Sequence, residues 1–378
     1  MGKRVPKKCK VVFVLGTRPE VVKVAPVYQL FSRREDFHPL LINTGQHREM
    51  SDRFLHIFDI TPDYTLDVMS PGQTLSALTA RILQDLEPIL SIEKPDIVLV
   101  QGDTTSALGG ALSAFYQHIL VGHIEAGLRT GNKYSPFPEE MNRVLIGRVA
   151  DFHFAPTEHA RGNLLRENIP AGQIVVTGNT VVDALLLIKE KITAFIDPHL
   201  STVLSQAQPQ AIVTVTAHRR ESWDGGIRNI SFAVRELALQ YPRTLFFFSV
   251  HPNPLVRDQV YAILSTTPNV HLLDPLDYRD FIFLLSQSTL AISDSGGVQE
   301  EAPSLGVPVL VTREFTERPE ILEAGAGFLV GTDTKTIIKK ATEVLSHPQK
   351  IEGKSIFGDG RASERIAEVL QGIRSSES

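Results

Sequence analysis

The 378-residue chain is 42% hydrophobic and 21% charged, with 38 basic against 43 acidic side chains and a formal net charge of -5. That balance excludes disorder, collagen and coiled coil as global descriptions, and it gives no electrostatic case for nucleic acid as the main partner. A single cysteine, Cys9, excludes an intramolecular disulfide and a multi-thiolate metal site, and suits a reducing, cytoplasmic setting.

Residues 1–10 are basic, but the apolar run behind them is only 11–15, cut off by Gly16 and Thr17. That is too short for a signal-peptide core, so the start reads as a solvated tail before a strand. No stretch approaches the roughly 18 apolar residues of a membrane span, so no membrane partner is expected. Strands are predicted over 10–15, 39–43, 96–101, 119–124, 151–155 and 173–176, with helices from Pro19 (where Pro26 is a candidate kink) and over 50–58, 74–92, 107–116 and 181–191. The span 196–210 loses clear periodicity, carries Pro198 and Pro209, and reads as a linker. Alternation resumes with strands over 211–216, 244–250, 270–273, 290–293 and 309–311. Ile366, Val369, Leu370 and Ile373 then mark one face of a final helix.

Strict alternation of strand and helix implies parallel sheets with helical crossovers. The expected fold class is α/β, two Rossmann-like doubly wound domains facing across a cleft. The expected boundaries are 1–190, a linker over 191–210, a second domain over 211–358, and a last helix over 359–378 packing back on the first domain.

In such sheets ligands lie at the carboxyl ends of strands. After the first strand comes Gly16-Thr17-Arg18-Pro19-Glu20, with Lys23 one turn on; Arg18 and Lys23 near a helix start suit an anion. Asp103 and Glu125 follow two later strands, and Glu139 follows soon after in Pro136-Phe137-Pro138-Glu139-Glu140. Three carboxylates on loops of one half suit proton transfer, because clustered carboxylates raise each other's pKa. The bland alternatives are helix capping for Asp103 and an ion pair of Glu125 with Arg129. In the second half, His218, Arg219 and Arg220 follow a strand, as does His251 in a Pro-rich turn. Ser293-Asp294-Ser295-Gly296-Gly297 follows a strand and opens a helix with Glu301 one turn in, a backbone cradle for phosphate with a ribose acceptor behind it. Thr316-Glu317-Arg318-Pro319 adds another Arg before a helix. There is no G-x-G-x-x-G after the first strand, no Walker loop and no Cys/His metal cluster, so no redox cofactor and no metal are expected.

Taken together, GTRPEVVKVAP, TGQHREM, QGDTTSA, GHIEAGLRTGNKYSPFPEEMNR, VTGNTVVDAL, TAHRRES, VHPNP, LDPLDY, SDSGGVQEEAPSLGVPVL and TERPE resemble the non-hydrolysing UDP-N-acetylglucosamine 2-epimerases, nearly end to end. The resemblance implies a glycosyltransferase-B-like fold and a UDP-sugar substrate. It implies phosphate contacts from Ser295, Gly296 and Gly297, a ribose contact from Glu301, and positive charge from Arg18, Lys23, His218 and Arg318. It also implies uracil contacts from Phe281 and the backbone near Leu276. Asp103, Glu125 and Glu139 match the family's catalytic carboxylates, joined in the predicted catalytic set by His218; base and acid are not apportioned. Gln46, His47, Glu49, Arg219, Arg220 and His251 match positions where some members bind substrate as an allosteric activator. A homodimer is implied by resemblance only. Ser222 and Arg313-Glu314-Phe315 depart from the commoner pattern, which leaves a related 2-acetamido UDP-sugar, such as a diacetamido uronate, open as substrate. A hydrolysing epimerase, a glycosyltransferase and a UDP-sugar sensor are the other readings, and the carboxylate trio speaks against the last two.

Overall fold

The computed structural model describes residues 8–192, 194–219, 223, 225–348, 351 and 356–375. The chain forms two compact units, one of Met1–Leu186 with Phe357–Ser378 and one of Leu187–Ile356.

The first unit is built on seven parallel strands: β1 (Cys9–Leu15), β2 (Phe37–Asn43), β3 (Tyr64–Thr65), β4 (Ile97–Gln101), β5 (Leu120–Ile124), β6 (Phe152–Ala155) and β7 (Ile174–Val176). Their order is β3-β2-β1-β4-β5-β6-β7. β1 and β4 are continuous apolar runs because both faces of a parallel sheet are covered by helices. Val12, Val14, Val98 and Val100 pack against Leu78, Ile82, Leu86 and Leu90, which recur every fourth residue along the helix Leu75–Glu93. The order reverses direction between β1 and β4, so the turns after these strands flank a switch point, the usual ligand position of such sheets. Gly16 opens the first of these turns, and a Cβ there would lie 2.1 Å from Thr44 Oγ1 and 2.5 Å from Ser106 Oγ. Those hydroxyls are themselves hydrogen-bonded at 2.7 Å, so only glycine fits.

The second unit has six parallel strands: β8 (Ala211–Ala217), β9 (Thr244–Val250), β10 (Val270–Leu273), β11 (Leu290–Ser293), β12 (Val309–Val311) and β13 (Gly327–Leu329). Their order, β10-β9-β8-β11-β12-β13, places the switch point between β8 and β11. Val213, Val215, Phe246 and Phe248 form its core with Ile227, Val234 and Leu237 of the helix Gly226–Gln240. The fold class is therefore tandem Rossmann-like α/β.

The expected irregular linker is corrected: Pro198–Ala207 is a helix. Asp197 caps it by accepting from His199 N at 2.8 Å, Pro198 occupies its first turn, and Leu200 is fully buried beside Leu245 and Phe247. Its apolar stripe is too narrow to stand out as periodicity. Pro26 lies inside the single helix Arg18–Arg33. The short β3 and β13 were not expected, since two or three residues carry little alternation. The final helix, Ala362–Ser375, packs on the helix Arg18–Arg33 within the first unit. Its start is capped from far away in sequence: Asp183 accepts from Ala362 N at 3.3 Å and Ser363 N at 2.8 Å. Among the described residues no helix is long and apolar enough to cross a membrane.

Candidate active site

In the first unit, the carboxyl ends of β1, β4 and β5 bring four predicted residues into a small region of the sheet edge. Glu125, one residue past β5, has a left-handed backbone with φ 66°. Such a conformation is costly for a non-glycine residue and aims its side chain away from the strand direction. Its carboxylate pairs with Lys23, takes the side-chain amide of Gln101, and accepts from Asn179 Nδ2 at 3.2 Å. Both Lys23 and Glu125 side chains are only 7% exposed, so the ion pair is shielded from water. The bland alternative, an ion pair of Glu125 with Arg129, is not found among the described residues. Arg129 instead grips Glu167 with both guanidinium arms at 2.6 and 2.9 Å.

Asp103, past the end of β4, does not cap the following helix, which Thr104 does through Ala107 N at 3.0 Å. Its carboxylate is held by Arg143 through Nε at 2.7 Å, and Asn142 Nδ2 donates to its carbonyl at 2.8 Å. Asn142 and Arg143 lie on the helix Glu139–Val149. Glu139 is therefore the first residue of a helix, not a loop residue, and that helix is tied to Asp103. A carboxylate in a first helical turn is favoured by the partial positive charge there. Glu139 Oε2 is buried with no hydrogen-bond partner among the described residues. Such an acceptor is costly unless something supplies a donor. Arg18 is exposed, its guanidinium 5.8 Å above the Phe54 ring.

Of the predicted regulatory positions here, Gln46 lies beside the turn after β4, its Oε1 accepting from Ser106 N at 3.1 Å and Ser106 Oγ at 2.7 Å. His47 and Glu49 are exposed at the start of the helix Arg48–Ile57. An open cavity of about 430 Å³, lined by Arg129, Glu140, Arg166 and Glu167 among others, contains none of the predicted residues.

In the second unit, the turns after β8 and β11 meet at Asp294, which is fully buried. Its Oδ2 accepts from the backbone N–H groups of His218 and Arg219, each at 2.8 Å, and His218 Nδ1 lies 3.1 Å from Oδ1. Burial raises the Asp294 pKa, but His218 and the two N–H groups outweigh it and hold the group below its ordinary value. His218 stacks near His251, ring centroids 6.5 Å apart and planes 15° from parallel. Arg219 Nε is buried with no hydrogen-bond partner among the described residues. Arg220 lies outside the described residues.

Ser295 precedes the helix Gly296–Ser304 as its cap position. A Cβ on Gly296 would lie 3.0–3.2 Å from the Arg318 guanidinium, so that cation is seated against the helix start. Arg318 is fixed by Glu300 at 2.6 Å and Glu317 at 3.3 Å, and Arg313 shares Glu317 at 3.1 Å. A helix N-terminus, small residues and a held guanidinium together suit a phosphate. A Cβ on Gly297 would meet the Glu301 carboxylate and the Ser295 hydroxyl at ordinary contact, 3.8 Å. Glu301, one turn in and 7% exposed, accepts from the Tyr278 hydroxyl at 2.9 Å. Phe281 is half-buried on the helix Tyr278–Ser286, and Leu276 packs against the Leu273 cluster.

Residues missed from sequence are those that orient others: Gln101, Asn179, Arg143, Tyr278, Glu300 and Asp294. All six lie in the quoted motifs, but nothing in a motif says which neighbour a side chain will hold. Among the described residues no group of three or more His, Cys, Asp or Glu side chains could hold a metal ion.

Paired Rossmann-like units with charged and glycine-bearing turns at their switch points define a glycosyltransferase-B-like protein. Residues 29–371 match the family described as UDP-N-acetylglucosamine 2-epimerase. The chain is 46% identical to the UDP-N-acetylglucosamine 2-epimerase of Escherichia coli (strain K12), over 97% of this chain and 100% of that one. It is likewise 46% identical to that of Yersinia pestis, over 96% and 98%. The crystal structure of the Neisseria meningitidis UDP-GlcNAc 2-epimerase bound to UDP-GlcNAc is similar with a TM-score of 0.86 and 45% identity, over 96% of this chain and 100% of that one. The chain belongs to the UDP-N-acetylglucosamine 2-epimerase family.

Proposed function

We propose that this enzyme interconverts UDP-N-acetylglucosamine and UDP-N-acetylmannosamine without hydrolysis. The hydrogen on sugar carbon 2 is not beside a carbonyl, so direct deprotonation is too difficult. Breaking the bond between carbon 1 and the UDP oxygen comes first; UDP leaves with the bonding electrons. Positive charge at carbon 1 then acidifies the carbon-2 hydrogen. A carboxylate takes that proton, leaving a glucal-type alkene. Protonation on the opposite face and return of UDP to carbon 1 complete the inversion, with no net loss of atoms or electrons.

The observation that carries this reading is the carboxylate group of the first unit. Glu125 is paired with Lys23 and aimed by Gln101 and Asn179, and Asp103 is tied to the helix that begins at Glu139. Acid–base chemistry needs such groups, and a binding protein does not. In our reading Asp103, Glu125 and Glu139 exchange the proton, and His218 assists the departing UDP. Ser295, Gly296, Gly297 and Arg318 hold the pyrophosphate, with further positive charge from Arg18 and Lys23. Glu301 accepts from the ribose, and Phe281 and the backbone near Leu276 meet the uracil. Fixed positive groups at the departing pyrophosphate stabilise charge as it develops. The first unit thus supplies proton transfer and the second binds UDP. Gln46, His47, Glu49, Arg219, Arg220 and His251 are assigned to activation by a second substrate molecule. The protein works as a cytoplasmic homodimer in this reading.

The test is incubation with UDP-N-acetylglucosamine in deuterated water, followed by NMR. The expected result is an intact UDP-sugar epimer with deuterium at carbon 2. Free UDP with free amino sugar, or an epimer without solvent deuterium, overturns the mechanism. Turnover of a diacetamido uronate alone moves the substrate.

A further inference from the structure

Glu20 lies three residues into the helix Arg18–Arg33 and is only 1% exposed. A glutamate at that position commonly reaches back to one N–H of the helix cap. Here the carboxylate does more. One oxygen accepts from Gly16 N at 3.0 Å and Thr17 N at 2.8 Å, in the turn after β1. The other accepts from the Thr104 hydroxyl at 2.5 Å, in the turn after β4. β1 and β4 are neighbours at the switch point, so one buried side chain fastens both turns.

The turn after β4 carries Asp103 and is held at each residue. His123 Nε2 lies 2.7 Å from the Gly102 carbonyl, Asn142 Nδ2 donates to the Asp103 carbonyl, and Thr104 donates to Glu20. Burial pushes the Glu20 pKa up to about 7, a sign that water no longer solvates its charge. A surface cap stabilises a helix without that cost. The buried placement therefore calls for a purpose beyond capping, and the bond to Thr104 supplies one.

We propose that Glu20 is a positioning residue: by tying the turn that bears Arg18 to the turn that bears Asp103, it holds that carboxylate in place for the carbon-2 chemistry. The inference rests on the epimerase reading given above.

The test compares kcat, KM, UDP affinity by calorimetry and Tm for the wild type, Glu20→Ala, Glu20→Gln, Thr104→Val and Thr104→Ser. Misplacing a reacting group by about 1 Å costs on the order of a hundredfold, so Glu20→Ala and Thr104→Val should lower kcat by about 30- to 100-fold with KM and UDP affinity within about threefold. Glu20→Gln keeps an oxygen for Gly16 and Thr17 and offers its amide to the Thr104 oxygen, while Thr104→Ser keeps the hydroxyl; both should hold kcat within about fivefold. A folded Glu20→Ala enzyme with wild-type kcat overturns the proposal, as does a fall in Tm with kcat intact. If Glu20→Ala does not fold, the Thr104 pair decides: equal kcat in the Val and Ser variants overturns it. A wild type that gives no epimer fails the epimerase reading itself, and is told apart because every variant is then equally inert.

Discussion

His123 on β5 and His153 on β6 are register partners and fully enclosed, with 1% and 0% exposure. Burial pushes the His123 pKa down to about 3, against the opposing pull of its hydrogen bond to the Gly102 carbonyl, and that of His153 down to about 4. Both rings are neutral in the fold, and both return to the ordinary value of 6.5 when unfolded. The unfolded chain therefore binds more protons below that value. Stability is undiminished above the unfolded pKa, falls as the pH drops, and stops falling once the pH passes below the folded value. Going from about pH 6.5 to about pH 4.5 should remove roughly 2 kcal/mol per histidine, about 4 kcal/mol for the pair. Replacing His123 by Gln keeps a donor for the Gly102 carbonyl and removes one titration. Urea unfolding followed by circular dichroism should show the variant losing about 2 kcal/mol less than wild type across that window, whatever its offset at neutral pH. The His123 ring resonance should also stay unmoved from about pH 7 to about pH 5. Equal losses in wild type and variant, or a ring titrating at the ordinary value, would refute the reasoning. The site would feel the same event, since the Gly102 carbonyl immediately precedes Asp103.

Three further outcomes follow from the site geometry. Glu125→Gln should abolish deuterium exchange at carbon 2, lowering turnover by about a hundredfold or more, while UDP affinity measured by calorimetry stays within about threefold. Gly296→Ala places a methyl 3.0 Å from an Arg318 guanidinium that Glu300 and Glu317 prevent from moving freely. It should weaken UDP binding by about tenfold, measured by titration calorimetry, with Tm nearly unchanged. Tyr278→Phe removes the hydroxyl that orients Glu301, and should cost about 1 kcal/mol in UDP affinity while leaving dUDP affinity less affected.

Much of the molecule was legible before any coordinates. The apolar runs that became β1, β4, β8 and β11 announced a buried parallel sheet, because a strand covered on both faces needs no polar alternation. Gly16 and Gly296 were legible as turn residues, since a glycine between strand and helix marks a tight turn. The helix Pro198–Ala207 was not legible, because a single buried leucine gives no period. Neither was the place of Glu139 at a helix start, because two prolines just ahead of it read as loop.

By itself, then, the order of residues determined the fold class, the strand-end motifs and the family, all of which depend on local patterning and spacing. Folding decided the partnerships. Lys23 met Glu125 across 102 positions, Arg143 met Asp103 across 40, and Glu20 met Thr104 across 84. The physical reason is that hydrogen bonds and ion pairs are short-ranged, while chain separation says little about distance once parallel strands align their ends. Arg129 shows the same thing from the other side, passing over nearby Glu125 for Glu167 just past the end of the helix Glu158–Arg166.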